Sequence, residues 1–278
     1  MIDWSHTVHG LGDLHAGGVP RARVAAMLED VARLPTPALH LQIGDSTEHG
    51  TEAEDVKAQR WLGRLRGRSE TILGNHDFLH NKRTPAQWAE AYGYRSKNFT
   101  IHLPPWLNII AVGPDRELPA ERSGKLTKAT LAFLDRELSA AGGRDCWVAC
   151  HWPLFRTVLG DPKKLFTSES AGFHAQPDAQ IRALLARHKN AKAWLSGHTH
   201  SPLRAPGLVT RAALPGGRSI LAVNLSAVVA VGRTREPSDP IRSLYLTRRP
   251  GQIDIRFRDH AKGAWIAPHA RKVVSVKV

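Results

Sequence analysis

A chain of 278 residues, 42% of them hydrophobic, can bury a sizeable core without staples, and its mean hydropathy of -0.31 is ordinary for a soluble globular protein. With 39 Lys and Arg against 25 Asp and Glu the formal charge is +14, which excludes an acidic solvating chain and points toward anionic partners. Two cysteines exclude a disulfide scaffold, and the most apolar run, 220–232, is broken by Asn224 and Ser226 and too short to span a bilayer.

The opening residues, Met1 to His6, carry no basic and then apolar leader, so the expected location is the cytoplasm and no membrane partner is expected. Val8 to Leu11 is the first strand candidate, closing on Gly12-Asp13. Pro20 then stands where a first helical residue would, and Val24, Met27, Leu28, Val31 and Leu34 keep the i, i+3, i+4 spacing of an amphipathic helix. Leu39 to Ile43 reads as a second strand closing on Gly44-Asp45. A helix from about Thr51 to Leu65 is opened by a capping box, Thr51 with Glu54. Thr71 to Leu73 is the third strand, closing on Gly74-Asn75-His76-Asp77, and Thr84-Pro85-Ala86-Gln87 caps a further helix that Gly93 can stop. The first hundred residues therefore alternate like consecutive βαβ units.

Two strands follow, Phe99 to Leu103 and Leu107 to Val112, then a helix from about Thr127 to Leu138. Trp147 to Cys150 is a strand that delivers His151. In an extended run Cys146 and Cys150 stand roughly 13 Å apart, beyond disulfide reach, so they read as buried free thiols. Trp152 to Gln176 has little periodicity and several Gly and Pro, the pattern of a long loop. Asp178 to His188 is helical, and Ala193 to Leu195 is the strand before Gly197-His198. Beyond residue 203 the pattern turns β-rich, with Ser219 to Leu225, Ile241 to Thr247 and Ile253 to Arg258 as strands. No repeat or linker divides the chain, so 1–278 is expected to be one domain, with a motif-bearing part 13–200 and a β-rich basic part 201–278. That last part carries fourteen Lys or Arg against four Asp or Glu, which makes nucleic acid a candidate partner.

In parallel α/β sheets side chains converge where strands run out into loops. Asp13, His15, Asp45, Asn75, His76, His151, His198 and His200 all fall at such ends and could meet. Ten other histidines, at 6, 9, 40, 49, 80, 102, 174, 188, 260 and 269, match no block and read as surface or satisfied side chains.

The order D-x-H, G-D, G-N-H-D, H, G-H-x-H resembles that of the calcineurin-like metallophosphoesterase superfamily. The resemblance implies an α/β fold (α+β in some schemes), a four-layer αββα sandwich of two mixed sheets with a dinuclear metal site at the strand ends. It implies that Asp13, His15 and His200 hold one divalent cation, that Asn75, His151 and His198 hold a second, and that Asp45 bridges them. His76 would be the catalytic acid facing the leaving group and Asp77 would orient it. Donors of this kind suit manganese first, with iron, zinc, cobalt or nickel as alternatives. The implied activity is phosphoester hydrolysis by a metal-bridging hydroxide, with the neutral Asn75 leaving the site positive toward phosphate.

Within the superfamily, Leu73 stands where protein Ser/Thr phosphatases typically carry Arg, and no tyrosine lies where purple acid phosphatases place a ligand. The compact spacing resembles small bacterial or phage phosphodiesterases, including those for cyclic nucleotides, although Trp152 stands where that group often shows a second histidine. Trp152, Phe155 and Arg156 could contact a base and phosphate, or the two aromatics could be core. The expected substrate is a small nucleotide-type or cyclic-nucleotide phosphodiester; the alternatives are a nuclease, a phosphomonoesterase and a non-catalytic metal-binding scaffold.

Overall fold

In the computed structural model the described residues are 2–18, 21–78, 83–117, 124–158, 167–169, 172–201, 207–225, 228, 241–266 and 274–278. Pro20, His80, His269, Ser226, much of the loop after Val158 and the basic residues Arg204, Arg233, Arg235, Arg271 and Lys272 lie outside them.

The chain opens on β1 (Thr7–Leu11), α1 (Arg21–Ala32), β2 (Leu39–Gln42), α2 (Glu52–Leu62) and β3 (Ser69–Thr71), the expected alternation. Next come α3 (Pro85–Ala91), β4 (Phe99–Leu103), β5 (Leu107–Ala111), a small pair β6 (Arg116–Glu117) and β7 (Gly124–Lys125), then α4 (Lys128–Ala140), β8 (Asp145–Ala149), α5 (Asp178–Arg187) and β9 (Ala191–Ser196). The C-terminal part adds β10 (Val209–Ala213), β11 (Ser219–Asn224), β12 (Arg242–Arg249), β13 (Gln252–Asp259), β14 (Ala264–Trp265) and β15 (Val274–Lys277).

These strands form two mixed sheets. The first has the order β14-β13-β12-β1-β2-β3, with β15 also on β13; β1, β2 and β3 are mutually parallel, and β12 joins β1 antiparallel. The second has the order β10-β11-β9-β8-β5-β4, parallel from β11 to β5 with antiparallel strands at both edges.

A strict period of two sorts the apolar residues into layers. Ile109 of β5, Trp147 and Ala149 of β8, and Ala193 and Leu195 of β9 meet Val8, Leu39 and Leu41 of the first sheet in the seam between sheets. Their neighbours in sequence, Ile110, Val148 and Trp194, turn the other way and pack on Leu134 and Leu138 of α4 and Ile181 and Leu185 of α5. On the far side of the first sheet Val24, Met27, Leu28 and Val31 of α1 join Leu62 of α2 against Leu11. The layers are helix, sheet, sheet, helix, and each buried aliphatic side chain contributes roughly 1.5–3 kcal/mol.

Two expectations shift. The third strand pairs over Ser69–Thr71, two residues earlier than its apolar run. Ile72 N still donates to the Gln42 carbonyl at 3.1 Å, and the side chains of Ile72 and Leu73 are buried in the seam and in the outer core respectively. The edge strands β10, β14 and β15 have no counterpart in the sequence pattern. Cys146 and Cys150 are buried free thiols, both pushed up to about 12 chiefly by burial. Among the described residues no helix is long and apolar enough to cross a membrane.

Candidate metal centre

The loops after β1, β2 and β3 carry Asp13 and His15, then Asp45, then Asn75; those after β8 and β9 carry His151, then His198 and His200. The seven side chains meet at one edge of the seam, four from the first sheet and three from the second. The loops are laced by backbone bonds: Leu14 N and His15 N donate to the Asp45 carbonyl at 3.0 and 2.9 Å, and Gly197 N donates to the His151 carbonyl at 2.9 Å. His198 N donates to Asp13 Oδ1 at 3.2 Å, which ties the two sheets together.

Two of the motif glycines are required by this crowding. A Cβ on Gly74 would lie 2.1 Å from Asp45 N, and one on Gly44, whose φ is +91°, would lie 2.6 Å from His151 Nδ1 and 2.9 Å from the Gly74 backbone. Four of the seven candidate ligands bend their own backbones into the left-handed region: His15 (φ 46°), Asp45 (52°), His198 (69°) and His200 (46°). Non-glycine residues adopt that conformation at a cost of order 1–3 kcal/mol each, and such strain concentrates at functional sites.

The donor atoms of the candidate ligands fall into two groups, each confined within 4.8 Å: Asp13, His15, Asp45 and His200, and then Asp45, His151 and His198; a further group of that size, His15, Glu48 and His76, overlaps the first at His15. Asp45 belongs to both. In the first, His15 Nε2 and His200 Nε2 lie 3.0 Å apart. In the second, His151 Nε2 stands 3.2 Å from Asp45 Oδ2 and 3.1 Å from Asn75 Oδ1. His151 Nδ1 donates to the Ile43 carbonyl at 2.7 Å, which fixes the ring with Nε2 aimed into the cluster. Among the described residues, buried Asp13 Oδ2 and His198 Nε2 find no hydrogen-bond partner. Buried oxygen and imidazole donors that converge, with orphaned members among them, are what a divalent cation needs.

The electrostatics agree. Burial alone would raise the Asp45 carboxyl, yet the imidazoles of His151, His76 and His15 outweigh it and hold the group well below the usual range. Burial opposes a proton on His151, but the Asp45 and Asp13 carboxylates overcome it and raise that ring to about 9. His15 is likewise raised against burial, by the Glu48, Asp45 and Asp13 carboxylates. Burial, with His151 beside it, drives His198 well down. A proton on His151 offsets part of the negative charge of the buried carboxylates.

His76, half-buried, lies edge-on to the His15 ring with centroids 4.6 Å apart. Its Nδ1 donates to the Glu48 carbonyl at 2.8 Å, and its backbone N donates to Asp45 Oδ1 at 2.9 Å. The expected orienting role of Asp77 is not what the geometry shows. Its carboxylate is wholly buried and accepts from Thr47 N and Thr47 Oγ1, each at 3.0 Å, and from Gly74 N at 2.8 Å. Asp77 therefore shapes the loop that carries Asn75 and His76, and burial together with Asp45 raises its carboxyl to about 6.

Sequence reasoning missed three supporting residues. Glu48 Oε2 stands 2.8 Å from His15 Nδ1, so one residue serves His15 with its side chain and His76 with its backbone. Gln42, wholly buried at the end of β2, donates Nε2 to the carbonyls of Gly44 and Gly12 and accepts from Gly44 N, Ser46 and Thr71. Asn224 donates Nδ2 to the Gly197 carbonyl at 2.7 Å and so holds the last motif block. The signals were present as polar residues, Gln42 at the end of the second strand and Glu48 three positions after Asp45. The two alternatives left open for Trp152 resolve to core: it is buried at 0% exposure, packs on Gly124 and touches the rings of His151 and His198. Phe155 is half-buried, and Arg156 is exposed, stacked over Phe155 at 5.2 Å and paired with Glu169 at 3.4 Å.

Among solved structures, a dimetal phosphatase of Danio rerio is similar over 93% of this chain and 97% of its own, with 11% identity and a TM-score of 0.61. Vacuolar protein sorting 29 of Cryptosporidium parvum covers 99% of this chain and 100% of its own at 11% identity and a TM-score of 0.46. A hypothetical protein of Thermus thermophilus covers 94% and 96% at 16% identity and a TM-score of 0.45. No curated protein sequence matches. The profile of the calcineurin-like phosphoesterases matches residues 6–202, from the turn before β1 to just past His200. The stretch matched contains every residue of both donor groups, and the chain belongs to the calcineurin-like phosphoesterase family.

Proposed function

We propose that the chain is a dinuclear metal-dependent phosphodiesterase acting on small nucleotide-type or cyclic-nucleotide diesters, with manganese the leading metal. The observation that carries it is the pair of donor groups sharing Asp45. Asp13, His15 and His200 would hold one cation, Asn75, His151 and His198 the other, and Asp45 both. Bound there, two divalent ions supply Lewis-acid polarisation of the phosphoryl group and a water of lowered pKa.

The chain's own residues do the rest. With Nδ1 committed to the Glu48 carbonyl, Nε2 of His76 is the atom that would pass a proton to the departing oxygen. Gln42 and Asp77 keep the loops from relaxing around Asp45 and Asn75. Leu73, 1% exposed, turns into the outer core, so the position before Gly74 offers no phosphate contact, consistent with a diester carrying a single negative charge.

Purified protein with added Mn²⁺ is expected to hydrolyse bis(p-nitrophenyl) phosphate faster than p-nitrophenyl phosphate and to lose turnover with a chelator. No turnover with Mn, Co, Ni or Zn would refute the assignment. A second reading, nuclease, is favoured by the ten excess positive charges of residues 201–278. Salt-sensitive cleavage of DNA or RNA exceeding that of the small diester would establish it instead.

A further inference from the structure

At the opposite end of β9 from the candidate metal centre, about 17 Å away along the strand, a second feature stands apart from the phosphoesterase machinery. A cavity of about 310 Å³ opens where β9 and β11 begin and β15 ends. Five cations line it, Lys189, Lys192, Arg211, Arg218 and Lys277, with the Ser219 hydroxyl and an apolar floor at Leu221. No lining side chain is acidic.

Basic residues on a protein surface are usually paired or dispersed, and several elsewhere in this molecule are paired. Arg187 meets Asp135, Arg248 meets Asp145, Arg249 meets Asp254 and Arg258 meets Asp30. None of the five around the cavity forms an ion pair among the described residues. Both arginines are instead held by neutral acceptors. Arg211 donates to Ser219 Oγ at 3.1 Å and to the Lys277 carbonyl. Arg218 donates to the carbonyls of Ala186 (2.6 Å), Leu185 and His188 (both 3.3 Å) at the end of α5. Those carbonyls form the partially negative end of the helix and offset part of one charge. The remaining four cations keep theirs, and the two guanidinium groups are pre-oriented without being neutralised.

Like charges gathered around one hollow raise the free energy of the empty protein, and an anion that brings comparable charge relieves it. Magnitude decides which anion. As a sphere the cavity is about 8 Å across. A nucleic-acid strand, at one charge per 3.4 Å of axis, places roughly two phosphates in that length. A triphosphate group brings up to four charges in the same space. The cations also converge from three strands and two loops onto one hollow instead of forming a stripe, and no aromatic ring lines it to stack a base. Lys ammonium groups as point donors and Arg forks match phosphate oxygens.

We propose that this cavity is a binding site for a compact polyphosphate group, as in inorganic tripolyphosphate or the phosphate tail of a nucleoside triphosphate. It is separate from the metal centre and stands whether or not the phosphodiesterase assignment does.

The test is calorimetric titration of the full chain, stripped of metal, with inorganic tripolyphosphate, and in parallel with a nucleoside triphosphate and a single-stranded oligonucleotide. Tripolyphosphate is expected to bind saturably at one site, with affinity falling as salt rises, and to bind at least tenfold more weakly to Lys189→Glu/Lys192→Glu. Neither lysine makes a side-chain hydrogen bond or ion pair among the described residues, and Lys189→Gln/Lys192→Gln provides a milder pair checked by circular dichroism. An Asp45→Asn variant should bind tripolyphosphate as the parent does, which separates this site from the metal centre. Equal affinity for tripolyphosphate and the triphosphate assigns recognition to the phosphates; tighter nucleotide binding that the lysine pair still weakens supports the site with an added base contact. No binding, binding unchanged in both lysine pairs, loss of binding in Asp45→Asn, or binding of the oligonucleotide alone overturns it.

Discussion

Asp45 bends its backbone to φ 52° and in doing so presents one carboxylate to two groups of imidazoles. Because both groups depend on it, Asp45→Ala is expected to abolish uptake of both cations together, whereas His200→Ala should weaken one selectively; elemental analysis after dialysis distinguishes the two patterns. For His76, substitution by Ala should leave metal content intact and reduce turnover of diesters with poor leaving groups about 10²- to 10⁴-fold, with a smaller effect on activated aryl esters. Equal losses on both substrate classes would remove His76 as the acid. The positions that converge were legible because ligand chemistry restricts residue type and strand ends restrict spacing. The residues that aim them were not, since Glu48, Gln42 and Asn224 act through hydrogen bonds that leave no periodic trace. Asp77 shows the opposite failure, because adjacency to His76 in sequence says nothing about where its carboxylate points.

The elements themselves were read best where local chemistry is self-contained. The capping boxes at α2, Thr51 with Glu54, and at α3, Thr84 with Gln87, both form as expected. Thr51→Ala should accordingly cost about 1 kcal/mol in denaturant unfolding and leave metal affinity unchanged. β10, with the sequence Val-Thr-Arg-Ala-Ala and most of its residues partly or fully exposed, carries no apolar alternation to betray it; only pairing with β11 makes it a strand. The first sheet also holds a polar row that no pattern foretells. His9 of β1 stands 2.7 Å from both His40 of β2 and Ser243 of β12, and Ser243 stands 2.7 Å from His260, whose Nδ1 is 2.8 Å from Asp30 of α1. Burial holds His40 down to about 4, against about 6.5 in the unfolded chain. As pH falls the unfolded chain takes this proton first, so the stability is complete above pH 6.5 and is lost as pH drops toward 4. The loss amounts to roughly 3 kcal/mol at its limit. Urea unfolding from pH 7 to pH 4 should show this decline, with a shallower slope by about one proton in His40→Gln.

For the whole molecule, composition bounded the class, and the five motif blocks gave the fold through resemblance. What they did not give was the way residues beyond 200 complete both sheets. β12 pairs with β1 across more than two hundred positions of sequence, and β11 lies beside β9, so the strands carrying the candidate ligands are flanked by late ones. Such long-range closure has no local signature and is slow to form. The seam between the sheets is filled by apolar side chains, whereas the edge where Asp13 meets His198 carries a directional polar link.

The candidate ligands divide four to the first sheet and three to the second, so a cation bound there acts as a rivet through the sandwich. Metal uptake and the closing of the two halves then become one equilibrium. Saturation at a hundred times the dissociation constant adds about 2.7 kcal/mol per independent site to the folded state. Chelation should therefore lower Tm and speed hydrogen exchange in both sheets, including β5 and β12, strands that carry no ligand. If exchange quickened only in the ligand loops, the rivet would be cosmetic.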